Sequence, residues 1–175
     1  MSNPISMNER VWHYLSQTQK DLIQEGTYLV NDVIHDGAYH FHDYSFLVFP
    51  FAKSYEGFLK QLFKDAGFIT HLDYISDHLR LGKLMSPNLI VKLGDRSLYI
   101  KVKDCSTKET ANRMWQTWKV GRNQIFHYFP HNYKAISFEE AQAIIKEILL
   151  TMEHIFEHVQ FRFRDKISPP TTISP

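Results

Sequence analysis

Arg122, Asn123 and His127 lie within the run Arg122-Asn123-Gln124-Ile125-Phe126-His127, and their types suit one piece of chemistry. Cleaving an RNA phosphodiester through its neighbouring 2′-hydroxyl needs three things. A base takes the hydroxyl proton, an acid protonates the departing oxygen, and positive charge steadies the crowded phosphorane. Histidine titrates near neutrality, so His127 can move protons. Arginine stays charged and grips phosphate oxygens with its planar fork, so Arg122 can stabilise the transition state. Asn123 can hold the imidazole or a phosphate by hydrogen bonding. This chemistry requires no metal and no other cofactor.

The spacing poses a geometric problem. On a straight helix, at about 100° per residue, side chains five positions apart diverge by about 140°. Asn123 and His127 are four apart and share a face. Arg122 must therefore reach around, or the helix must bend, or a second subunit must supply the missing partner. The spacing also arises by chance, and its ordinary alternative is an exposed arginine and a satisfied core histidine. From Lys92 to Lys134 there are nine Lys and Arg against three acids. Such a local excess attracts a polyanion or simply forms a solvated face. Lys119, Tyr128 and His131 flank the motif and are the candidate RNA contacts there.

Helices must carry these residues. Val11, Tyr14, Leu15, Leu22 and Ile23 recur at helical spacing after Asn8, with Gly26 as the expected interruption. Residues 44–68 hold a broad apolar face made by Phe51, Tyr55, Phe58, Leu59, Leu62 and Phe63, with Pro50 suited to a first turn and Gly67 to the end. Residues 71–84 suggest a short helix ending at Gly82. Two apolar runs around Gly94-Asp95 suggest a short β-hairpin inserted in a helical domain. Ser106 or Thr107 caps the helix that carries the motif, which is expected to continue to about Pro130. Ser137 to Glu140 fits a capping box for a long helix striped by Ala141, Ile144, Ile145, Ile148, Leu149, Met152 and Ile155.

Composition bounds the rest. A chain of 175 residues, 43% hydrophobic and 22% charged, suits one domain over residues 1–165 with a flexible tail at 166–175. The net charge of +1 gives no general field for nucleic acid, so an anion site must be local. The lone Cys105 excludes an internal disulfide and the usual cysteine-rich zinc sites. His35, His40 and His42 cluster without an accompanying carboxylate frame, which argues against a metal. No run approaches the length of a membrane span and no cleavage signature opens the chain, so the simplest compartment is the cytoplasm. Trp115 and Trp118 could stack on bases, but their commoner role is packing.

The segment WKVGRNQIFHYFPHNYKAISFEEAQAIIKEIL resembles the HEPN signature, and HDYSFLVFPFAKSYEGFLKQLFKDAGF is similar to the HEPN domain of RNase LS (RnlA/LsoA-type) toxins. The resemblance covers roughly residues 44–156. It implies a mainly α, HEPN-like helical bundle and a metal-independent endoribonuclease. Arg122 and His127 match the catalytic pair, and Glu56 matches an acid that orients or polarises them across a groove. Lys53, three residues before Glu56, would be a supporting basic residue. The resemblance also implies a homodimer with one composite cleft, an RNA substrate and a cognate antitoxin protein. RNase LS-type toxins carry further N-terminal domains, so a stand-alone relative is expected. In another HEPN branch a tyrosine two residues after the histidine is modified; Phe129 stands there. The alternative is a non-catalytic HEPN module that dimerises and binds a partner protein or RNA.

Overall fold

The computed structural model describes residues 7–37, 39–127 and 134–167, with side chains described as far as residue 159. The fold is mainly helical, with no strand among the described residues. Helices α1 (Glu9–Tyr14) and α2 (Gln17–Asp36) precede α3 (Ser45–Asp65). Four short helices follow: α4 (His71–Ile75), α5 (Leu81–Leu84), α6 (Ile90–Leu93) and α7 (Leu98–Cys105). Helix α8 (Lys108–Trp118) runs into a π-helical segment (Lys119–Asn123), and α9 (Phe138–Ile167) closes the bundle.

Helix α3 is the central element because its broad apolar face is buried against its neighbours. Leu47, Phe51, Phe58, Leu59, Leu62 and Phe63 are fully buried, each worth about 1.5–3 kcal/mol of transfer free energy. Helices α2 and α9 pack on α3, and α8 packs on α9. The stripe expected on α9 faces this core, with Ile144 only half-buried. The expected capping box forms: Ser137 N–H donates to Glu140 Oε2 at 2.8 Å, and Glu140 N–H donates to Ser137 Oγ at 3.2 Å. Asp43 ties the two helix starts together, accepting from Ser45 N–H at 3.0 Å and Ile136 N–H at 3.2 Å.

Several local expectations give way to tertiary contacts. Gly26 does not interrupt its helix. It lies inside α2, where a Cβ would come 2.6 Å from the Phe51 ring, so glycine serves close approach of α2 to α3. The break falls earlier, at Ser16, whose capping box with Gln19 starts α2. Pro50 sits inside α3 rather than in its first turn, so the Phe46 carbonyl four residues back receives no hydrogen bond from it. Gly82 lies within α5 instead of ending a helix.

The expected hairpin is absent. Residues 87–105 form two short 3₁₀ turns and the helices α6 and α7. Ile90 and Leu93 pack inward three residues apart while Val91 is almost fully exposed, a helical pattern and not an alternating one. Ser97 then caps α7, accepting from Ile100 N–H.

Candidate functional site

The motif begins on α8, where Thr107 supplies the N-cap by accepting from Thr110 N–H at 3.1 Å. The α-helix does not continue toward Pro130. It widens into the π segment, marked by the bond from Gln124 N–H to the Lys119 carbonyl at 3.0 Å, which spans five residues instead of four. Gly121 lies in this segment against α9, where an added Cβ would come 3.0 Å from Ile148 Cδ1. The widened turn therefore sits directly on the closing helix. Phe126 N–H reaches the Arg122 carbonyl at 3.3 Å, and His127, exposed, lies beyond the helix.

Two side-chain columns face each other here. On α3, Phe49, Lys53 and Glu56 are spaced i, i+4, i+7 and share a face. Along the motif, Trp118, Arg122 and Phe126 repeat every four residues. The columns run antiparallel and meet at two levels. Arg122 Nη2 lies 3.0 Å from Glu56 Oε2, with 43% and 25% of the two side chains exposed. The Phe49 and Phe126 rings meet edge to face with centroids 5.7 Å apart. Lys53 stands between the levels, its Nζ 6.0 Å from the Phe49 ring.

Arg122 is held from a second side, since its guanidinium carbon lies 4.9 Å from the Trp118 ring centroid. Each contact of this kind contributes about 0.5–1 kcal/mol at a partly exposed site. Trp118 is itself fixed. It is buried, its indole N–H has no hydrogen-bond partner among the described residues, and a Cβ on Gly82 would come 2.7 Å from that nitrogen. Trp118 thus packs in the core and offers its face to Arg122 rather than to a base. Trp115 is half-buried.

The sequence-derived residues divide as follows. Glu56 and Arg122 come together, so Glu56 pairs across the groove rather than with a lysine of its own helix. Lys53 shares their rim and is exposed. Asn123 is half-buried in the π segment, and Lys119 is exposed at its start. Tyr128 and His131 lie outside the described residues, as does the tail from residue 168 onward. His35, His40 and His42 are exposed. Among the described residues no three His, Cys, Asp or Glu side chains are placed to hold a metal ion.

The sequence reading overlooked Phe49, Phe126 and the seat that Trp118 gives Arg122. Phe49 was detectable in principle, because with Lys53 and Glu56 it completes one helical face. The π segment has no comparable signature. Among the described residues no helix is long and apolar enough to cross a membrane. No model of a known protein family, no curated protein and no solved structure matches this chain.

Proposed function

We propose that this chain is a metal-independent endoribonuclease of HEPN type that cuts single-stranded RNA. In this reading it is the cytoplasmic toxin of a toxin–antitoxin or defence system, and it works as a homodimer. The observation that carries the reading is the Arg122–Glu56 pair at 3.0 Å, made between the motif segment and the one acid that the resemblance singles out. A guanidinium has five N–H donors in a fixed fork, and one carboxylate contact leaves donors for phosphate oxygens.

The RNA 2′-oxygen bonds to phosphorus as its proton passes to a base, and the bond from phosphorus to the 5′-oxygen breaks as that oxygen gains a proton. The products are a 2′,3′-cyclic phosphate and a 5′-hydroxyl. His127 transfers protons, Arg122 offsets the phosphorane charge, Glu56 orients Arg122, and Asn123 assists by hydrogen bonding. Because His127 lies past the helix end, the site is read as composite, with a second protomer's motif segment completing the cleft.

A second reading has its own observation. The Glu56 carboxylate already neutralises the charge that a phosphate would seek, which suits a module that dimerises and binds a partner without cutting. RNA cleavage in EDTA separates the two. Wild type should cut mixed cellular RNA and leave cyclic phosphate ends, and a 2′-O-methyl group at the cut site should abolish cutting. Folded His127→Ala and Arg122→Ala should each lose about 10²–10⁴-fold in rate. A folded wild type that leaves such RNA intact transfers the case to the binding module.

A further inference from the structure

The solvent-facing strip of α3 carries more than the lysine and the acid. Phe46 and Phe49 lie three residues apart on it, so they are neighbours along one face. Phe46 meets Phe41 at 4.9 Å between centroids, and Phe41 meets Tyr39 at 4.9 Å. At the other end Phe49 meets Phe126, the residue before His127. All five rings are exposed, from 37% at Phe126 to 66% at Tyr39. Large aromatics lined up in water are costly unless something covers them. This row runs to the ion pair formed by Arg122 and Glu56.

We infer that this aromatic row is a base-stacking track, on which the nucleotides flanking the cut in a single-stranded RNA lay their bases while Lys53 and Arg122 take phosphates. The inference rests on the nuclease reading and adds to it the substrate contact that selects unpaired RNA. Charge chooses the occupant. Lys53 stands 6.0 Å over the Phe49 ring, and Arg122 lies where the row ends, four residues before Phe126 and paired with Glu56, so cationic groups accompany the exposed rings. A purely apolar partner surface would gain nothing from burying those cations, and desolvating them is costly. The charge also sets a limit. Tyr39 and Phe41 line a groove that Glu139 and Glu140 also border, and those carboxylates repel phosphates, so the strongest stacking belongs to the Phe49–Phe126 end. Stacking is indifferent to base identity because every base has a π-face, so the track grips single strands with little sequence preference. Paired bases, already stacked on one another, cannot use it.

The test needs no cleavage. Fluorescence anisotropy would follow a labelled 2′-O-methyl octanucleotide, and beside it an abasic strand of the same length and charge. Wild type should bind the first more tightly. Phe49→Ala should weaken that binding about five- to a hundredfold and leave the abasic strand unaffected, while Phe49→Trp should restore it. Equal affinity of wild type for both strands, or no binding of either, would overturn the track. So would variants that shift the oligomeric state by light scattering while leaving oligonucleotide binding unchanged, since the rings would then be a protein interface. Cleavage read in parallel separates this inference from the one beneath it. Cutting without base-dependent binding removes only the track, and base-dependent binding without cutting removes only the nuclease.

Discussion

Two arginine–carboxylate pairs arise from one stretch of chain and face different neighbours. Arg113 on α8 meets Glu147 on α9 at 2.9 Å, and Arg122 in the π segment meets Glu56 on α3 at 3.0 Å. The first pair joins a hydroxyl network. Arg113 Nε also donates to Thr151 Oγ1 at 3.2 Å, Thr151 donates to Glu147 at 3.0 Å, and the buried Thr117 hydroxyl shares a 2.9 Å bond with Thr151. The second pair has one carboxylate contact and an indole face, and no hydroxyl joins it among the described residues. The same chemical groups therefore sit among hydroxyls at a helix seam in one place and among aromatic rings in the other. An ion pair alone does not tell the two arginines apart; their surroundings do, hydroxyls around Arg113 and an indole face beneath Arg122.

The largest effect is expected at the guanidinium itself. Arg122→Lys keeps the charge and loses the fork, and should lower RNA cleavage about a hundredfold with little change in the urea midpoint. Arg113→Lys should leave the rate within a few fold. Equal rate losses in the two variants would dissolve the distinction. A smaller effect is expected on the other side. Glu147→Ala removes two hydrogen bonds from the seam and should cost about 1 kcal/mol, reduced by exposure, read from urea unfolding, with cleavage unaltered.

The smallest effect is a pH slope. His154 on α9 bonds Thr110 Oγ1 at 3.0 Å and stacks on His158 with centroids 4.1 Å apart. Burial first, then His158 and Arg113, hold its pKa below the ordinary 6.5. The unfolded chain then binds this proton more readily than the folded one. The contribution is complete above pH 6.5 and shrinks as pH falls toward the lowered folded value. His154→Gln should flatten the decline of the urea midpoint from pH 7 to 5. An unchanged slope would remove His154 from the seam's pH response.

Patterns repeated over many residues were readable without coordinates. The broad apolar face of α3, the stripe of α9 and the Ser137 box each follow from local periodicity or capping chemistry, and each is present in the fold. The Gly94 region was misread because a short apolar run fits a strand or a helix until burial selects one: Ile90 and Leu93, three residues apart and both packed inward, settle it. Gly26 was misread because sequence shows the flexibility of glycine, whereas the Phe51 ring shows its use.

Sequence by itself determined a helical chain with one cysteine, no strong net charge and a motif holding arginine, asparagine and histidine. It brought Glu56 to Arg122 only through resemblance, since 66 positions separate them and no local rule spans that distance. Tertiary structure decided which face of the motif looks at α3. The π segment sets that register, and an extra residue in a turn is fixed by contacts with α9 and α3 rather than by the propensities of its own residues. It also decided which phenylalanines stay in water, because exposure belongs to the neighbours a side chain acquires and not to its type.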